Sequence, residues 1–157
     1  MSPTDEGIKI ICQNRRAHHD YHIEKKIEAG IELKGSEVKS CREGKVQLVD
    51  CYGFFEKGQL FLIKAHIGEY KQGGPYFNHE PTRKRRLLLH KRELKNLAAQ
   101  VEQDGCTLIP LKFYFKKSRV KVELGLARGK TKGDKRQSTK DREDSRNMDR
   151  ALRRERN

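Results

Sequence analysis

No CxxC pair, no phosphate-cradling GxxxxGK[ST] and no apolar run long enough to cross a bilayer occur in these 157 residues. The four cysteines, Cys12, Cys41, Cys51 and Cys106, are scattered along the chain. That spacing argues against a zinc ribbon or a dense disulfide framework. It leaves buried free thiols of a reducing cytoplasm as the expectation. A spanning helix needs about 20 successive apolar residues, and none is present. The opening MSPTDEGIKII lacks a basic segment followed by an apolar one, so no secretory leader is expected there. Neither a nucleophile elbow nor a paired-carboxylate motif stands out, which disfavours the hydrolases built on them.

What the chain has in excess is positive charge. Lys plus Arg is 36 against 22 Asp plus Glu, a formal net charge of +14. An excess of that size calls for a polyanionic partner, and nucleic acid is the commonest. An anionic membrane would need an amphipathic helix with a wide apolar face or a lipid anchor. Neither is evident, so no membrane partner is expected.

Composition changes sharply near Ala127. Beyond it, RGKTKGDKRQSTKDREDSRNMDRALRRERN offers only Met148, Ala151 and Leu152 as apolar side chains. Such a stretch cannot bury enough surface to offset its ordering entropy. Residues 1–127 are therefore expected to form the globular domain, and 128–157 a basic tail, disordered when free. Asp149 precedes Arg153 at i,i+4, and Met148 shares a face with Leu152, a pattern suited to a helix formed on a partner.

Within the domain the dominant period is two. Val120, Val122, Leu124 and Leu126 alternate with Lys121 and Glu123, as on a strand with one wet face. CTLIPLKFYF reads as its hairpin partner, with Ile109, Leu111, Phe113 and Phe115 inward and KKS as the connection. Pro110 inside that pattern marks an edge or a bulge. GKVQLVDCYGFFE and GQLFLIKAHI form a second pair turning at Gly58; KIICQN and DYHIEKKIEAGIEL supply earlier strands. GSEVKSCREG reads as a helix capped by Ser36 and stopped by Gly44. LLLHKRELKNLAAQVEQDG reads as another, with Leu94, Leu97, Ala98 and Val101 on one face; its first residue is open, the triple leucine lying either within it or in a separate turn before it. The whole is mainly β: a compact antiparallel barrel of about six strands with two or three helices.

Three places carry candidate chemistry. QNRRAHHDYHIEK gathers His18, His19, His22 and Asp20. Adjacent histidines point apart in a helix or a strand, and no second cluster completes a metal site, so no metal is expected. RNA contact fits better, with Arg15 and Arg16 as charge and His19 and Tyr21 as flat faces for unpaired bases. The plain alternative is a solvated loop end. Lys121 and Glu28, taken singly, are an outward lysine and an outward carboxylate. In NHEPTRKRRLLLHKREL the basic run, including Arg83 and Arg86, reads as phosphate-facing. Of the three leucines that follow, some must be core.

NRRAHHDY, EAGIELKGSEVKSCREGKVQL, NHEPTRKRRLLLHKREL, KVELGLARGK and DKR, in this order, resemble the small protein B family. These are the transfer-messenger-RNA-binding proteins of bacterial trans-translation, and the match runs from about Ile8 to the end. The resemblance implies an oligonucleotide-binding-like barrel of about six strands with about three flanking helices. It also implies a non-enzymatic cytoplasmic adaptor, a monomer without cofactors. That adaptor would bind the tRNA-like domain of transfer-messenger RNA and deliver it, with elongation factor Tu and GTP, to stalled ribosomes. Glu28, Leu88 and Lys121 match positions associated with the tRNA-like domain, and His19 and Tyr21 match others near the same RNA. Arg128, Gly129, Lys130, Asp134, Lys135 and Arg136 match the junction facing the decoding centre. The tail beyond, with Lys140 and Arg142, matches the segment that becomes helical in the empty mRNA channel, so that barrel and tail stand in for an anticodon arm and codon. Gly133 stands where the family commonly has Tyr or His, Thr131 where a basic residue is frequent, and the tail carries no Trp. Two rival classes remain: a metal-dependent nuclease using the His18–His22 region, and a ribosomal or general single-strand-binding protein on the same barrel.

Overall fold

The computed structural model describes residues 7–74, 76–129 and 132–156, apart from the side chains of 132–135, 138, 155 and 156. The order is β1 (Ile8–Gln13), α1 (Ala17–Asp20), β2 (Tyr21–Ile31), α2 (Gly35–Arg42), β3 (Val46–Gln47), β4 (Tyr52–Glu56) and β5 (Gln59–Ile63). There follow β6 (His66–Ile67), β7 (Arg85–Leu88), α3 (Lys91–Asp104), β8 (Thr107–Lys116), β9 (Arg119–Gly129) and α4 (Lys132–Arg156).

Six strands close on themselves. The sheet runs β1-β8-β4-β5-β7-β2-β9, and β8 also pairs with β9, so β8, β4, β5, β7, β2 and β9 form a ring. All the pairings are antiparallel. β1 lies outside the ring on β8, and β3 pairs separately with β6. Closure satisfies edges that would otherwise invite pairing with another chain. The ring closes between β4 and β8 at Gly53 opposite Leu108. A Cβ on Gly53 would stand 2.9 Å from the Leu108 Cβ, so glycine is required for the strands to meet.

Local chemistry explains most of the joints. β4 turns into β5 through Lys57 and Gly58, and β8 into β9 through Lys117 and Ser118, all four with positive φ. Such two-residue turns match the natural strand twist. Val120, Val122, Leu124 and Leu126 of β9 are all buried in the main core with Leu60, Leu62, Leu108 and Phe113. α3 lays Leu94, Leu97 and Val101 against that core and ends at left-handed Gly105.

Three expectations need correction. The first concerns β8. Its pairing shifts between Pro110 and Lys112, a bulge at the proline. Across it the inward parity changes: Leu108 and Phe113 enter the main core, whereas Ile109 and Leu111 pack in a second cluster with Ala17 of α1 and Ala127. Asn14 secures the bulge, its N–H donating to the Leu111 carbonyl (2.7 Å) and its Nδ2 to that of Pro110 (3.0 Å). Second, the leucine run does not open a helix. Leu87 and Leu88 end strand β7, His90 is extended, and α3 starts at Lys91. Third, Ser36 does not cap α2. Lys34 occupies that place, its N–H donating to Glu37 (2.8 Å), while the Ser36 hydroxyl bonds His79 Nδ1 (2.9 Å).

The basic run is also not uniformly outward. Arg85 has no exposed surface. Its guanidinium pairs with buried Glu37 and donates to the carbonyls of Ala65 (2.7 Å) and Pro81 (3.0 Å). Arg83 donates to the other oxygen of Glu37 at 2.6 Å. Burial pushes the Glu37 carboxyl up, but hydrogen bonds from Arg83, the Lys34 N–H and Arg85 outweigh it and hold it below its ordinary value. Lys84 pairs with Glu56, and Arg86 lies 3.3 Å from Glu32. The run thus ties α2, β4 and β7 together before it meets any partner.

The cysteines are free, with Cys41, Cys51 and Cys106 buried. Burial pushes the Cys41 and Cys51 thiols up to about 12, so both stay protonated and unreactive at neutral pH. α4 meets α1, where His19 Nε2 lies 3.3 Å from the Thr139 hydroxyl. Every described side chain of α4 is exposed.

Candidate nucleic-acid interface

The strand pair β2–β9 positions both groups of candidate residues, one at each end. Its pairing runs from Tyr21 opposite Gly129 to Gly30 opposite Lys121. At about 3.3 Å per residue, Tyr21 and Glu28 lie roughly 23 Å apart along it.

At the far end, Glu28, Leu88 and Lys121, from three different strands, line one cleft of about 480 Å³ with Gly30, His90 and Glu93. A smaller hollow of about 260 Å³ shares Gly30, Leu88 and Lys121 and reaches Leu33 and Val38. β7 alternates: Arg85 and Leu87 go inward, Arg86 and Leu88 outward. Leu88 is accordingly 44% exposed. The floor is Gly30, where a Cβ would stand 3.3 Å from the Leu88 Cβ and crowd the leucine.

Glu28 is poised as an acceptor. The Tyr114 hydroxyl donates to it, and Lys116 Nζ approaches both its oxygens at 3.3 Å. The Tyr114 bond, opposed by partial burial and aided by Lys116 and Lys121, holds the carboxyl below its ordinary range. Burial and the donated bond raise the Tyr114 hydroxyl, which stays protonated. An ionised carboxylate, an exposed leucine and a lysine around one hollow can accept from a base edge or a 2′-hydroxyl, cover an apolar base face and meet a phosphate.

The near end is less open. Arg15 and Arg16 are exposed, while His19 and Tyr21 are half-buried. Tyr21 packs against the second cluster, so part of its ring is already used. His19 Nδ1 lies 3.0 Å from Asp20, an ion pair when the ring is protonated. Arg15, Arg16 and Tyr21 border a hollow of about 460 Å³ with Val49 and Tyr52. Arg128 pairs with Glu24 at 2.7 Å, and Gly129 ends the strand exposed.

The remaining candidates are spread out. Arg83 is half-buried on Glu37, and Arg86 is exposed beside Glu32. Lys130 lies outside the described residues. Asp134 and Lys135 are described only as helical backbone of α4, on which Arg136, Lys140 and Arg142 are exposed. Among the described residues no group of three His, Cys, Asp or Glu side chains converges as metal ligands.

Sequence reasoning passed over Tyr114 and Lys116. Register could have found the tyrosine, since a two-residue turn at Lys117–Ser118 sets Tyr114 opposite Lys121. Gly30, His90 and Glu93 carry no such local signal.

The family model described as SmpB protein matches residues 11–154. The chain belongs to the SmpB family. The SsrA-binding protein of Microcystis aeruginosa is 52% identical, over 98% of this chain and all of the relative. That of Geobacillus kaustophilus is 51% identical, over 96% of both. A chain in the solved structure "tmRNA-SmpB: a journey to the center of the bacterial ribosome" superposes with a TM-score of 0.65 at 50% identity. It covers 82% of this chain and 93% of its own length. The mainly antiparallel barrel is thus the SmpB fold.

Proposed function

We propose that this chain is a non-enzymatic RNA-binding adaptor of trans-translation, working in the bacterial cytoplasm as a monomer. On this reading the Glu28–Leu88–Lys121 cleft holds the tRNA-like domain of transfer-messenger RNA, with Arg15, Arg16, His19, Tyr21, Arg83 and Arg86 adding contacts. The adaptor delivers that RNA with elongation factor Tu and GTP to stalled ribosomes. Arg128, Gly129, Lys130, Asp134, Lys135 and Arg136 then meet the decoding centre, and the helix bearing Lys140 and Arg142 enters the mRNA channel. The observation that carries the reading is convergence. Three side chains 28, 88 and 121 positions along the chain meet at one exposed hollow in a protein of net charge +14. Its relatives are SsrA-binding proteins, and its solved neighbour is named for tmRNA, SmpB and the ribosome.

A titration at fixed salt tests it. The full chain should prefer a tRNA-like elbow strongly over an unstructured strand of equal length. Equal affinity for both would sink the adaptor reading and favour a general single-strand binder.

A further inference from the structure

Tyr76 and Phe77 are the most exposed large apolar side chains among the described residues, at 92% and 79%. They lie between β6 and β7, in neither of the groups above. Asn78 ties the residues on either side of them together. The Tyr70 N–H donates to Asn78 Oδ1, and Asn78 Nδ2 donates to the carbonyls of Tyr70 and Gly74, each at 2.8 Å. Buried His79 then anchors the loop, 2.9 Å from the Ser36 hydroxyl of α2 and 2.9 Å from the Ile67 carbonyl.

The two rings front a cleft of about 640 Å³ whose other walls include Lys34, Lys39 and Tyr70. Lys39 Nζ sits 5.3 Å from the Tyr70 ring centroid. No described residue lining the cleft is acidic. Flat rings in water beside amines without a counter-charge suit an unpaired nucleotide, whose base stacks and whose phosphate meets a lysine. An apolar protein knob would leave both amines facing it unpaired. Position favours RNA too. Leu33 lines the extension of the Glu28–Lys121 cleft, and the next residues, Lys34 and Gly35, line this one.

We propose that Tyr70, Tyr76 and Phe77 with the facing side of α2 form a second RNA subsite that stacks one or two unpaired nucleotides beyond the Leu88 cleft. This rests on the RNA-binding reading above. The base would lie on Tyr76 or Phe77, and Lys34 and Lys39 would neutralise the flanking phosphates.

The test uses the full chain and a tRNA-like RNA carrying 2-aminopurine at one unpaired position at a time, with an unstructured strand as the second probe. Tyr76→Ala with Phe77→Ala should weaken binding at least tenfold and remove the fluorescence quench at one position. Its salt slope should not change, since neither ring releases a counterion. Lys39→Ala should lower the slope by about one, and Tyr76→Phe should restore the quench. Melting curves matching the parent chain show that the variants fold. If the parent chain binds both RNAs equally, the adaptor reading fails whatever the loop does. If its preference is intact but the double variant keeps both affinity and quench, the subsite alone is overturned. Self-association lost in that variant would then assign the rings to a second copy.

Discussion

The barrel and the helix behind it solve opposite problems. Between Gly7 and Gly129 apolar side chains find partners far along the chain, and charged Glu37 and Arg85 are buried together. Along α4, Met148 and Leu152 stay 70% and 53% exposed. Its side chains make local pairs, such as Gln137 Nε2 donating to Asp141 at 2.9 Å. Isolated helices held by such pairs are marginal in water. The barrel is held by long-range packing, whereas no described side chain of α4 is buried.

The sharpest way to break that contrast is inside the barrel. Glu37→Ala leaves the Arg85 guanidinium buried without its carboxylate, and should destabilise by about 3–5 kcal/mol in urea unfolding. A loss under about 1 kcal/mol would mean that the backbone acceptors at Ala65 and Pro81 suffice. The same carboxyl sets an acid limit. Its folded value lies below the ordinary 4.5, so its stabilisation is full above that value and falls away as the pH drops through the folded one. The parent chain should therefore lose stability below about pH 4.5 more steeply than the alanine variant.

A second test removes the helix. Deleting residues 131–157 should leave the barrel's unfolding midpoint unchanged and affinity for the tRNA-like domain within tenfold, about 1.4 kcal/mol. Tagging on stalled ribosomes should cease. A larger loss of affinity would show that α4 belongs to the RNA-binding unit, as its contact at His19 would then suggest. The smallest expected effect is at Lys121. Lys121→Ala should lower the salt slope of binding by about one phosphate's worth. An unchanged slope would shift that lysine to a base or sugar contact.

Local rules read this chain well where one residue decides the outcome. Alternation located β9, Gly58 marked the turn from β4 to β5, and Pro110 announced the bulge. They failed where distant residues decide. Nothing near Arg85 says that it is buried; Glu37, 48 positions earlier, makes burial tolerable. The leucine run became a strand because β5 and β2 offered it pairing on both sides. Ser36 lost its expected place because His79, 43 positions away, takes its hydroxyl. Leu88 lay between: strand parity exposes it once Leu87 is core, but the parity had first to be known. The Glu28–Leu88–Lys121 grouping came from family resemblance, since no spacing rule links three strands.

The β2–β9 pair also behaves as a gauge. The interval between the Leu88 hollow and the His19–Tyr21 end comes only in whole residue steps. One residue added within either strand would turn one end over, facing its side chains to the wrong side. Two residues added to each strand, opposite each other, would keep both faces and lengthen the interval by about 7 Å. If both ends touch one rigid RNA, this protein tolerates substitution in that stretch far better than insertion. Strand length itself then becomes part of what the RNA recognises.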